Sequence, residues 1–76
     1  MRKVKVNFKL KDVLEERKMT QKELAQKSGV REATISDIVR GTRTVINFKH
    51  LSDIASALEI IDIREIMDFV NADDLN

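Results

Sequence analysis

Three carboxylates, Asp62, Glu65 and Asp68, recur every third residue toward the end of the chain. On a helix that spacing gathers acids on one side, as a metal site or a paired general acid and base would need. The oxygen-rich loop of a calcium site does not accompany them, and a solvated helix face accounts for all three. His50 is the only histidine and cysteine is absent. A Ser–His–Asp relay therefore has no spare partner, and there is no ligand pair for zinc; His50 is assigned to the polar face of a helix. Two glycines, Gly29 and Gly41, are too few for a glycine-rich phosphate loop. Read this way the chain is not an enzyme, and it requires no metal and no cofactor.

The chemistry that remains is hydrogen bonding and charge. It concentrates in residues 20–41, TQKELAQKSGVREATISDIVRG, where the spacing predicts two short helices joined by a tight turn. Placed at roughly 100° per residue, residues 31–40 sort into two flanks. Ile35, Ile38 and Val39 gather on one, which must bury. Ala33, Ser36, Asp37 and Arg40 gather on the other, which is small and polar, with no bulky apolar group to hold a flat partner away. Such a helix is suited to lying in a groove.

The rest of the chain must position that helix. Thr20 opens the first helix of the pair, over about 21–27, through a T-x-x-E capping box with Glu23. Leu24 and Ala25 point inward, and Ser28-Gly29 ends it. Gly41 closes the second helix, and Thr42, Arg43 and Thr44 form a basic loop before Val45 and Ile46 return to the core. Ahead of the pair, a helix over about 9–18 carries Leu10, Val13 and Leu14, with Met19 as an apolar plug. Behind it, Asn47 caps a helix over about 48–58, with Phe48, Leu51, Ile54, Ala55 and Leu58 on its buried face. Asp62 with Glu65 opens a fifth helix over about 63–70, in which Ile63, Ile66, Met67 and Val70 keep the same spacing.

Residues 2–8 alternate, with Val4, Val6 and Phe8 against Lys3, Lys5 and Asn7, which is a strand pattern. No later stretch reads as a strand, so this one is expected to lack a partner within the molecule. Three uses are open to it: pairing with its twin in a dimer, a basic arm on phosphates, or a frayed leader anchored by Phe8. The expected fold is all-α, a compact five-helix bundle with a short extended N-terminal segment. It divides into an extended basic segment (1–8), the helical domain (9–70) and an acidic tail (71–76).

Seventy-six residues make one domain. Lack of cysteine fits a reducing compartment, no apolar run approaches the roughly 18 residues that span a membrane, and no signal-peptide pattern opens the chain. A cytoplasmic protein without membrane contact is expected. The net charge of +1 hides an asymmetry. Residues 1–52 carry 13 Lys/Arg against 6 Asp/Glu, whereas residues 53–76 carry one arginine, Arg64, against 7 acids. The positive end would attract a polyanion.

The motifs T-Q-x-x-L-A (Thr20, Gln21, Leu24, Ala25), S-G-V (Ser28, Gly29, Val30), T-I-S-x-I (Thr34, Ile35, Ser36, Ile38) and R-G (Arg40, Gly41) resemble the helix-turn-helix of the Cro/cI-type (XRE-like) repressors of bacteria and phages. Leu51, Ile54, Ala55, Ala57 and Leu58 resemble that family's fourth helix. The resemblance covers about residues 10–70 and implies a lambda-repressor-like, DNA-binding fold with the second helix of the motif in the major groove. Carried over by position, it implies base contacts from Arg31, Glu32, Ala33, Ser36 and Asp37. Arg31 would meet a guanine edge, Glu32 a cytosine amino group and Ala33 a thymine methyl. Phosphate contacts would come from Gln21, Thr34, Arg40, Thr42, Arg43 and Thr44. Two positions depart from the pattern: Val39 stands where Glu is common before R-G, and Val45 where many members have Pro.

The first functional reading is therefore a sequence-specific binder of double-stranded DNA, a transcription regulator and repressor acting as a homodimer on a two-fold operator. Its dimer surface is either the fifth helix with Ile60, Ile61 and Phe69, or the N-terminal strand. The alternative is a protein-interaction module, antitoxin- or antirepressor-like, that reuses the fold. Glu32 and Asp37 on the outward flank keep that alternative open. No small-molecule ligand is evident.

Overall fold

A capping box, two left-handed glycines and an asparagine cap divide the chain into helices; the computed structural model describes residues 2–72. Strand β1 (Val4–Phe8) leads into α1 (Leu10–Glu16), α2 (Gln21–Ser28), α3 (Glu32–Arg40) and α4 (Phe48–Ala57). A 3-10 turn (Ile63–Glu65) and strand β2 (Met67–Asn71) follow. The Glu23 amide donates to the Thr20 hydroxyl at 3.0 Å and the Thr20 amide to the Glu23 carboxylate at 3.1 Å, so the expected box starts α2. Gly29 (φ 77°) and Gly41 (φ 70°) end α2 and α3 in the left-handed region. The Asn47 side chain accepts from the amides of Lys49 and His50 and starts α4.

Helix α1 is shorter than the expected 9–18, whereas α4 closes at Leu58 as expected. Lys18 (φ 54°) and Glu59 (φ 56°) turn left-handed without being glycine. The next amides, of Met19 and Ile60, reach back to the carbonyls of Leu14 and Ala55, both at 2.9 Å. That six-to-one closure satisfies carbonyls the helix end would leave open, and it returns Met19 and Ile60 to the core. The Arg17 guanidinium then donates to the Leu58 carbonyl and ties the two helix ends together.

The core combines Leu10, Val13 and Leu14 of α1, Leu24 of α2, and Ile35 and Ile38 of α3. Val30, Ile54, Leu58, Ile60 and Ile66 complete it. Ahead of residue 60, two residues expected inside are not: Val45 is 77% and Phe48 80% exposed. Of the Val45-Ile46 pair only Ile46 packs on the core. Along the apolar side of α4, burial deepens from Phe48 through half-buried Leu51 to Ile54 and Leu58. The helix thus enters the core by its C-terminal half, and its first turn stands clear.

The C-terminal end corrects the all-α, five-helix expectation. Among the described residues the protein is mostly helical, with four helices and a two-stranded antiparallel sheet. Asp62 caps as expected, accepting from the Arg64 amide at 3.0 Å, but only a 3-10 turn follows, and Ile63 is exposed. The spacing of Ile63, Ile66, Met67 and Val70 fits a helix, and a strand period holds only over Met67, Asp68 and Phe69 before Val70 and Asn71 break it. The edge of β1 decides between the two, because pairing satisfies backbone groups on both segments. The strand expected to lack a partner therefore has one, in the register Val4↔Asn71, Val6↔Phe69 and Phe8↔Met67.

One face of this ribbon carries Val4, Val6, Phe8, Met67 and Phe69, of which Phe8 and Met67 pack on the core. On the other face the Asn7 amide group donates to Asp68 at 3.1 Å, and Lys9 Nζ sits 3.1 Å from the same carboxylate. Lys9 Nζ also donates to the Arg64 carbonyl at 2.8 Å. The Asn7 hydrogen bond, with Lys9 beside it, holds the Asp68 carboxyl below the usual aspartate range. Hydrogen bonds from Arg64 do the same for Asp62. Of the acidic tail expected over 71–76, Asn71 ends β2, and residues 73–76 lie outside the described residues.

Leu24 has no exposed surface, so Leu24→Ala should cost about 2–5 kcal/mol in urea unfolding, while Phe48→Ala should stay within about 0.5 kcal/mol. A second outcome concerns Asp68. Because folding depresses its pKa, its contribution is complete above the ordinary aspartate value of about 3.9 and is lost as the pH falls through the lower folded value. Thermal melts of Asp68→Asn should lie below those of the parent at neutral pH, and the two should converge as the pH is taken down from about 4.

Candidate nucleic-acid interface

Only Gly29, Val30 and Arg31 connect α2 to α3. The Val30 amide donates to the Ser28 hydroxyl at 3.1 Å, and the Val30 side chain is buried, so the turn is pinned from both sides. Ile35 and Ile38 are buried and Val39 packs against the core. The opposite flank faces out: Arg31, Glu32, Ala33 and Arg40 are exposed, and Ser36 and Asp37 are half-buried. No side chain caps the start of α3, and Glu32 lies in its first turn, where the helix dipole favours an acid. Among the described residues Arg31 and Glu32 have no hydrogen-bonding or ionic side-chain partner.

Asp37 differs from its neighbours on that flank. Its Oδ1 accepts from Arg40 Nη2 at 2.6 Å and its Oδ2 from Arg43 Nη2 at 3.4 Å. Its carbonyl accepts from the Thr42 amide at 3.2 Å and from the Thr42 hydroxyl at 3.3 Å. Arg40, Thr42 and Arg43, expected separately as phosphate contacts, are thus brought together around one acid. The Asp37–Arg40 pair was readable as an i,i+3 spacing. The Arg43 contact was not, because it exists only once Gly41 turns the chain back on itself.

The remaining expected contacts are scattered. Thr44 is exposed in the loop, and Gln21 is half-buried as the first residue of α2. Thr34 is only 9% exposed. Four residues before Ile38, it shares the buried side of α3, and the structure separates it from the other phosphate candidates. One basic neighbour comes from an unexpected direction. An open groove of about 430 Å³ between β1 and the 40–46 loop is lined by Lys5, Arg40 and Arg43 together with Phe8, Ile38 and Ile46. The alternating lysines of β1 signalled a basic arm, but its placement beside the end of α3 follows from the β1–β2 pairing.

Asp62, Glu65 and Asp68 do not converge on a common site. Asp62 is held by Arg64 and Asp68 by Asn7 and Lys9. No group of three His, Asp or Glu side chains among the described residues is placed to hold a metal. What the α3 face offers is a guanidinium, a carboxylate and a hydroxyl above a small methyl, flanked by a loop of cations. Such groups can hydrogen-bond flat polar edges and pair with anions.

A family model described as helix-turn-helix matches residues 10–66, from the first residue of α1 to the residue before β2. It spans all four helices and leaves both strands of the ribbon outside. No curated protein and no solved structure matches the chain. No described helix is long and apolar enough to cross a membrane.

Proposed function

The chain belongs to the Cro/C1-type (XRE-like) helix-turn-helix family, a family of DNA-binding transcription regulators, and from that membership we propose a sequence-specific repressor that binds double-stranded DNA as a dimer. The observation that carries the reading is the orientation of α3: its apolar flank is sealed by Ile35 and Ile38 while Arg31, Glu32 and Ala33 face solvent. In the proposed complex α3 lies in the major groove with its N-terminal residues against the bases. Arg31 reads a guanine edge, Glu32 a cytosine amino group and Ala33 a thymine methyl, with Ser36 beside them. Gln21 at the start of α2 meets one backbone strand, and Arg40, Thr42, Arg43 and Thr44 meet another. Lys5 joins them across the groove from β1.

The dimer is proposed to form through the ribbon. The sequence offered two surfaces, the N-terminal strand and a fifth helix with Ile60, Ile61 and Phe69. Ile60 is buried in the core and Ile61 lies outside the ribbon, but Phe69 shares a face with Val4 and Val6: it is 70% exposed, and Val6 is its direct cross-strand partner. A two-fold axis sets this patch against itself, and two copies then present two α3 helices to two half-sites.

Binding to duplex DNA should weaken by about 10³-fold or more between roughly 50 and 200 mM salt if some six phosphates are neutralised. A protein-interaction module would show no duplex preference at any salt. Arg43→Ala should weaken all duplexes alike. Arg31→Ala should relax the preference at one base pair by about 1–3 kcal/mol, read from competition among duplexes selected from a random pool. Equal losses from both substitutions would remove these assignments. For the ribbon, Phe69→Asp should shift sedimentation from dimer to monomer and leave the far-ultraviolet dichroism unchanged; a parent protein that sediments as a monomer at all concentrations would exclude the dimer.

A further inference from the structure

Asp37 is the side chain on the α3 face for which base reading gives no comfortable task. It is the only acid between Glu32 and Asp53, so the charge of the whole α3–α4 loop turns on where it points. Both of its carboxylate oxygens are occupied, by Arg40 at 2.6 Å and Arg43 at 3.4 Å, and its carbonyl holds Thr42. A carboxylate between two guanidiniums offers them the same donor-to-anion pairing that phosphate oxygens would. To read a base, Asp37 would have to surrender both arginines.

We propose that Asp37 is an internal stand-in for a DNA phosphate: it holds Arg40 and Arg43 until a backbone phosphate in the right place replaces it, and so it suppresses binding to duplexes that do not fit. The inference rests on the DNA-binding reading. These ion pairs are exposed, so they contribute little to folding stability; their effect is on the charge the loop presents. Removing one negative charge adds about one to the phosphates neutralised, which steepens the salt slope by about 0.9 and is worth roughly tenfold in affinity near 0.1 M salt. Releasing the arginines also loosens them, which opposes binding. That opposing effect is not ionic and leaves the slope alone, so the slope separates the two.

The test is a salt titration, between about 50 and 300 mM, of a duplex of random sequence and of a selected duplex. It compares the parent protein, Asp37→Asn and Asp37→Glu, each checked for its melting temperature. Asp37→Asn removes the charge and keeps the shape, so it should bind the random duplex about tenfold more tightly with a slope steeper by about one, and should gain less on the selected duplex, whose phosphates already displace Asp37; an equal gain on both would overturn the selective role. Asp37→Glu restores the charge and should return the slope to that of the parent. Unchanged slope and affinity in Asp37→Asn would overturn the proposal while leaving DNA binding intact. So would a loss of discrimination at a single base pair, which would make Asp37 a base reader. A parent protein that binds no duplex at any salt would overturn the DNA-binding reading itself and the proposal with it.

Discussion

What α3 shows to the outside is decided by what is buried behind it. Ile35 and Ile38 are sealed against a core that includes Leu24 and Val30, and the three-residue turn from α2 leaves no slack to rotate the helix. Turning α3 over would expose both isoleucines, at about 1.5–3 kcal/mol each. Native domains hold only about 5–15 kcal/mol in total, so the roughly 3–6 kcal/mol lost by inversion is a substantial share of the stability. The outward flank is therefore fixed by packing, and its residues were free to be chosen for what they meet. Thr34 marks the edge of that freedom, since it falls one turn before Ile38 and is drawn inside.

The ribbon is what this chain adds to the four-helix unit that the family match covers. A two-stranded hairpin is marginal alone, and here the two strands come from opposite ends of the chain with no turn to join them. Their base supplies the missing support. Phe8 and Met67 pack on the core, the Lys9 amide donates to the Ile66 carbonyl at 2.8 Å, and Lys9 reaches both Asp68 and the Arg64 carbonyl. Further out the ribbon no longer touches the core, and Val4, Val6 and Phe69 are left uncovered on one face. An apolar face on a supported ribbon suits a surface that meets another molecule better than it suits solvent.

Most of the helical unit was legible because its signals are local. The capping box, the glycines at 29 and 41, the Asn47 cap and the inward apolar residues each follow from a few neighbouring positions. The failures share a different cause. Within residues 63–71 the local spacing favours a helix and only Met67, Asp68 and Phe69 alternate; the partner edge that overrides it lies some sixty residues away. Lys18 and Glu59 end their helices in a conformation usually left to glycine, and that choice is enforced by the return of Met19 and Ile60 to the core. In the candidate site, the flanks of α3 could be read from the helical wheel. The gathering of Arg40, Thr42 and Arg43 around Asp37 needed the turn at Gly41, and the neighbourhood of Lys5 needed the ribbon.

The division of charge along the chain acquires a physical meaning once the partners are known. Several acids of the C-terminal third pair with cations outside α3 and the loop that follows it: Asp53 with Lys49 at 3.0 Å, Asp62 with Arg64, and Asp68 with Lys9. Residues 31–47 themselves carry three arginines against two acids. A surplus alone is a poor instrument for a sequence reader, because it strengthens binding to every duplex equally, and what matters is the ratio between the right site and the many wrong ones. In the proposal, an acid paired with the two arginines withholds their charge from a duplex whose phosphates do not displace it, and leaves Arg31 and Glu32, which carry the proposed discrimination, untouched. On that proposal the carboxylate on the α3 face is no defect of an otherwise basic surface; it would weaken an ill-fitting duplex more than a fitting one.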